Sequence, residues 1–76
     1  VRQIKVNQNL RVIRKSKGMT QKYVAISLGM PVQTYNSYEL GRRKISADLL
    51  KEIAIVLDEP IENFFENKLY ETKNIG

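Results

Sequence analysis

The sequence predicts an all-α, compact five-helix domain, and three observations carry that expectation. Apolar residues recur at spacings of three and four rather than in alternation. Gly18, Gly29, Pro31, Gly41 and Pro60 break the chain at intervals that suit short helices. Hydroxyl residues able to cap a helix, Thr20 and Ser46, stand just ahead of two of the apolar runs.

The expected helices cover about 6–17, 20–28, 32–40, 46–57 and 60–66. In the first, Val6, Leu10 and Ile13 form one apolar stripe, Gly18 ends it, and Lys15 and Lys17 suit the negative end of its dipole. The second starts at the Thr20 cap, carries Val24, Ala25 and Leu28, and stops at Gly29. A turn of about three residues leads to the third, which Gly41 stops. Two short helices joined by a tight glycine-containing turn make a helix-turn-helix, and small Ala25 lets the two cross closely. The fourth follows Ser46 and presents Leu49, Leu50, Ile53, Ala54 and Leu57 before Asp58-Glu59-Pro60 breaks it. The fifth carries Ile61, Phe64 and Phe65, with Leu69 and Tyr70 further on. Residues 1–66 thus read as one domain and 67–76 as a tail.

Composition narrows the chemistry. With 76 residues there is room for one small core. The absence of Cys and His excludes disulfide staples, Cys/His zinc sites and triads that need a histidine base. The acids Asp48, Glu52, Asp58, Glu59, Glu62 and Glu66 decorate helix surfaces and caps without converging, so neither an enzyme nor a cofactor is expected. No apolar run approaches the ~20 residues of a membrane span, and nothing at the N-terminus reads as a signal peptide; a cytoplasmic protein is the expectation.

Net charge is +5, unevenly spread. Residues 1–44 hold ten Lys or Arg against the single acid Glu39, whereas residues 45–76 hold three lysines against seven acids. A basic half joined to an acidic half points to a polyanion-binding face with a separate surface elsewhere.

That face is sought on the third helix. At 100° per residue, Tyr35 and Tyr38 lie ~60° apart, and their bisector is taken as the core direction. Gln33, Asn36 and Ser37 then fall on the opposite side, with Val32 on the flank. Gln and Asn can bond adenine bidentately, Ser suits either base type, and Val can touch a thymine methyl. A polar face is ordinary on any surface helix; its place on the second helix of a helix-turn-helix, beside Arg42, Arg43 and Lys44, makes it a candidate for base reading. Gln21 and Lys22 open the preceding helix, where free N–H groups favour phosphate and the Gln21 amide can add a donor. The Arg42-Arg43-Lys44 loop is expected to grip the DNA backbone. Glu39 lies ~70° from the core direction, so it needs a cation, and Arg14 is the candidate partner in a structural salt bridge. Phe64, Phe65, Leu69 and Tyr70 crowd the acidic half with apolar surface, more than a monomer core absorbs, and are the expected homodimer interface.

These residues resemble the Cro/repressor-type (xenobiotic-response-element) helix-turn-helix regulators. The resemblance runs from Leu10 to Phe65 through Leu-Arg-Val-Ile-Arg (10–14), Gly-Met-Thr-Gln (18–21), Val-Ala-Ile-Ser-Leu-Gly (24–29), Thr-Tyr-Asn-Ser-Tyr-Glu-Leu-Gly (34–41) and Leu-Leu-Lys-Glu-Ile-Ala (49–54). It implies a five-helix, usually dimeric domain that reads pseudo-palindromic double-stranded operators with its third helix in the major groove. It further implies a phosphate contact for Gln21, base-facing positions for Val32, Gln33, Asn36 and Ser37, and an internal Arg14–Glu39 bridge. Three positions depart from the pattern: Tyr23 replaces a common Glu, Pro31 a Ser or Thr cap, and Leu40 an Asn. A transcriptional regulator, with repression as the expected role and no small-molecule ligand, is the reading. An antitoxin or adaptor with a protein as its main partner, or a pure protein-interaction module, are the alternatives.

Overall fold

A computed structural model of the chain describes residues 5–65. Four α-helices, α1 (Val6–Ser16), α2 (Gln21–Leu28), α3 (Val32–Glu39) and α4 (Ala47–Leu57), are followed by a 3₁₀ segment, Ile61–Phe65. No strand occurs among the described residues. The fifth α-helix expected over 60–66 is therefore corrected to a single short 3₁₀ stretch. In runs this short the tighter i→i+3 bonding competes well with the α-helical pattern.

The helix ends follow local chemistry. The Thr20 hydroxyl accepts from the Tyr23 N–H and the Ser46 hydroxyl from the Leu49 N–H. Thr20 and Ser46 are thus caps rather than helical residues. Pro31 precedes α3 without a side-chain cap, and Leu40 lies just beyond its end. At the close of α4 the backbone turns left-handed at Asp58, a non-glycine residue with φ 54°. Lys17 meets that turn from α1: its ammonium donates to the Asp58 carbonyl at 3.0 Å and pairs with Glu59 at 3.0 Å.

The core draws on every element. Leu10 and Ile13 of α1, Val24 and Ala25 of α2, Tyr35 of α3, Leu50, Ile53, Ala54 and Leu57 of α4, and Phe64 are all buried. α2 packs on both α3 and α4, while α1 packs on α3 and the 3₁₀ segment. Burying a side chain such as Leu10 or Leu57 stabilises by about 1.5–3 kcal/mol. Asn9 is buried against this core: its amide donates to the Phe64 carbonyl at 2.8 Å, fixing the 3₁₀ segment to α1.

Of the adjacent phenylalanines, Phe64 is fully buried and Phe65 is 43% exposed. Phe64 therefore belongs to the monomer core, a correction to its expected place at a dimer surface. Leu69 and Tyr70, the other two candidates for that surface, lie outside the described residues.

Gly41 turns the chain out of α3 with φ +81°, and a Cβ there would come within 3.0 Å of Asn7 Nδ2, which donates to the Glu39 carbonyl. Gly29 has a similar φ of +74° but open space around it. Gly29→Ala should cost about 1–2 kcal/mol from left-handed strain alone, and Gly41→Ala more, because it also displaces Asn7. Thermal melts of the two variants test the order; equal losses would mean that the Asn7 contact contributes nothing.

Candidate nucleic-acid interface

The interface begins at a buried charge. Glu39, 4% exposed, sits on the inner side of α3, and Arg14, 7% exposed, meets it from α1. Arg14 Nε donates to Glu39 Oε2 at 2.6 Å, its Nη2 to Oε1 at 3.2 Å, and its Nη1 to the Met19 carbonyl at 2.7 Å. This two-point pairing suits the planar guanidinium and satisfies both oxygens of a carboxylate removed from water.

Electrostatics follow from that geometry. Burial alone would raise the Glu39 pKa, but the hydrogen bonds from Arg14 and Gln21 outweigh it and hold the carboxyl below its ordinary value. The bond to Glu39 in turn raises the Arg14 pKa. Burial first, and then the neighbouring carboxylate, push the Tyr35 phenol up, so it stays protonated.

Packing corrects the helical-wheel reading of α3. Tyr35 is fully buried, but Tyr38 is only half-buried, and Glu39 is the second inward residue. The inward direction is thus turned by ~50° from the bisector of the two tyrosines. Bulk alone misled the wheel: a carboxylate with its charge and lone pairs satisfied goes deeper than a phenol at the rim.

The turn leaves Gln33 and Ser37 opposite the core and brings Asn36 to the flank, beside α2. Val32 and Gln33 are exposed, and Asn36 and Ser37 half-buried. The Ser37 hydroxyl donates to the Gln33 carbonyl at 3.1 Å. Asn36 Oδ1 accepts from Gln21 Nε2 at 2.9 Å, and the same nitrogen donates to Glu39 Oε1 at 2.9 Å. Both amide hydrogens of Gln21 are therefore committed inside the protein. The expectation that this amide adds a phosphate donor is corrected: what Gln21 has to offer an anion is its main-chain N–H at the start of α2. The Gln21–Asn36 contact was not expected, because a wheel of α3 alone carries no information about α2.

Lys22 is exposed on the first turn of α2, and Arg42, Arg43 and Lys44 are exposed on the loop after α3. The ion pairs among the described residues, Arg14–Glu39 and Lys17–Glu59, involve none of these four. Leu40, 51% exposed, lies in a shallow groove with Arg43 and Lys44. Among the described residues no group of three or more Asp or Glu is placed to hold a metal ion, and no helix is long and apolar enough to cross a membrane.

Comparison with known proteins gives this geometry a context. Residues 10–64 match the helix-turn-helix family model. An uncharacterized HTH-type transcriptional regulator of Sinorhizobium medicae is 34% identical over 64 residues, which are 84% of this chain and 46% of that protein. An uncharacterized transcriptional regulator in the ATPase CF(0) region of Rhodospirillum rubrum is 37% identical over 62 residues, 82% of this chain and 57% of that protein. The chain thus spans about half the length of these relatives. Among solved structures, the restriction-modification controller protein C.AhdI from Aeromonas hydrophila superposes with a TM-score of 0.75 at 29% identity, covering 82% of this chain and 94% of that one.

Removing one member of the buried pair strands the other, so Arg14→Ala should cost about 3–5 kcal/mol. Melts of Arg14→Ala, Glu39→Ala and the double variant should reveal strong coupling at pH 7, and simple additivity would deny it. Because the folded-state pKa of Glu39 is lowered, its contribution is complete above the unfolded value, about 4.3. The coupling should therefore fade as pH falls below about 4 and through the folded value.

Proposed function

The chain belongs to the Cro/repressor-type helix-turn-helix family, and from that premise we propose that it is a sequence-specific, double-stranded-DNA-binding transcriptional regulator, acting as a repressor. One observation carries the proposal. The outer face of α3 offers polar side chains, and the cations bordering it, Lys22, Arg42, Arg43 and Lys44, make no ion pair among the described residues. Four cations with no ion pair among the described residues, beside a polar helix face, suit a phosphate-lined groove.

In this reading α3 enters the major groove. Val32, Gln33, Asn36 and Ser37 meet base edges, while Lys22, the Gln21 main-chain N–H, Arg42, Arg43 and Lys44 hold the sugar–phosphate backbone. Arg14 and Glu39 set the position of α3 and touch no DNA. The protein works in the cytoplasm by binding alone, without catalysis.

The operator is pseudo-palindromic and the protein a homodimer. Phe65 and Ile55, 43% and 78% exposed, support an apolar patch on the C-terminal elements, and the proposal extends it through Leu69 and Tyr70. A two-fold dimer would set two copies of α3 about one DNA turn, ~34–36 Å, apart.

Gln33→Ala should fold normally and lose about 1–3 kcal/mol at one base pair, with little effect on random DNA. Arg43→Ala should weaken operator and random DNA alike and flatten the salt dependence. For the unaltered dimer, with about three to five phosphates per subunit, log K should fall with log[salt] at a slope of roughly −5 to −9. Titrations at several salt concentrations test all three; a slope near zero would remove DNA as the partner.

Sedimentation at micromolar concentration should find a dimer, and Phe65→Ser should shift it towards monomer without lowering monomer stability much. A monomer that binds half-sites without cooperativity would sink the dimer and leave the DNA reading standing.

A further inference from the structure

The cations bordering α3 stand at the start of α2 and on the loop after Gly41, but α1 carries others that are exposed. We infer that Arg11 and Lys15 of α1, with the Gln8 amide beside them, form a second phosphate-binding site, which takes the DNA backbone beyond the Leu40 end of the α3 face. The inference rests on the proposal that α3 reads the major groove, and it adds α1 to the elements that grip the duplex.

Placement joins α1 to that face. With the inward direction of α3 set between Tyr35 and Glu39, Gln33 lies ~140° from it and Leu40 ~120°, on the same side. Exposed Leu40 therefore prolongs the outer face that begins at Gln33. Leu40 also lines a groove between α3 and α1, and the α1 wall of that groove consists of Asn7, Gln8, Arg11, Val12 and Lys15. A phosphate strand that follows the α3 face past Leu40 reaches these residues next.

Charge selects the occupant. Arg11 and Lys15 are exposed and take part in neither ion pair of the described residues. They stand four positions apart, side by side on the helix, where like charges oppose helix formation. The helix dipole compensates Lys15 in the last turn but not Arg11, which lies further from the end. α1 has no Asp or Glu of its own. Glu39 is the one acid lining the groove among the described residues, and its oxygens already accept from Arg14 and Gln21. The Leu40 side chain offers no acceptor at all. A like-charged pair that these neighbours leave unrelieved is a local cost that an external polyanion removes.

Titrations of the full 76-residue chain against a random-sequence duplex at several salt concentrations test the site. Arg11→Ala combined with Lys15→Ala removes both contacts, and the slope of log K against log[salt] should become shallower by about two for each subunit bound. Sequences selected from a random pool should keep the same base preferences. Lys51→Ala, which removes an exposed cation from α4, should leave the slope as it is. Should the double alanine variant melt early, Arg11→Gln with Lys15→Gln carries the same measurement. An unchanged slope in the folded double variant would overturn the inference. So would an equal loss in Lys51→Ala, which would reduce the effect to net charge, or an altered base preference, which would make these residues readers. A slope near zero for the unaltered chain would instead overturn the DNA-binding reading, and this site with it.

Discussion

Three helices of this domain meet on one buried carboxylate. Glu39 is held by Arg14 of α1 and by Gln21 of α2, and its own main-chain carbonyl accepts from Asn7 of α1. Desolvating a carboxylate and a guanidinium costs several kcal/mol each, so the pair is weak as a net source of stability. Its value is in what it forbids. Any packing of α1, α2 and α3 that fails to bring Arg14 and Glu39 together strands a charge in the core, and that penalty selects one arrangement over similar ones that hydrophobic burial alone would tolerate.

The same interaction ties structure to function. The α3 face presented to solvent is whatever remains once Tyr35 and Glu39 are turned inward, so the depth of the ion pair sets which polar residues are left outside. Exposed Gln33 and half-buried Asn36 and Ser37 owe their positions to an interaction on the other side of the helix. The exposed cations are independent of it. They lie on the first turn of α2 and on the loop after α3, and among the described residues none is consumed in an ion pair, so their charges add to the field.

Much of this was legible in the sequence, and the rest was not for definable reasons. Helices α1 to α4 follow from period and caps, which are local. The Arg14–Glu39 pair could be inferred because a lone acid near the inner side of a helix in a basic segment requires a cation. Tyr38 was misplaced because a wheel ranks residues by bulk and cannot weigh a paired carboxylate against a phenol. Phe64 and Phe65 are ~100° apart on a helix, so one had to turn outwards, but which one depends on how the 3₁₀ segment docks on α1 and α4. Asn9 and Asn7 gave no signal of their own, since asparagine on an amphipathic helix ordinarily faces water and nothing nearby marks these as interior. Gln21 and Asn36 were each singled out for DNA, and their bond to one another depends on how α2 and α3 cross, which no single-helix pattern contains.

The Asn9 bond to the Phe64 carbonyl spans 55 positions of the chain. On a ribosome, α1 emerges early with a buried-to-be amide whose acceptor has not yet been made. Until Phe64 has been made, that acceptor is missing from the inner side of α1. The 3₁₀ segment therefore completes the domain from a distance: a chain cut before Phe64 would keep all four α-helices and lose the acceptor that Asn9 uses inside the fold.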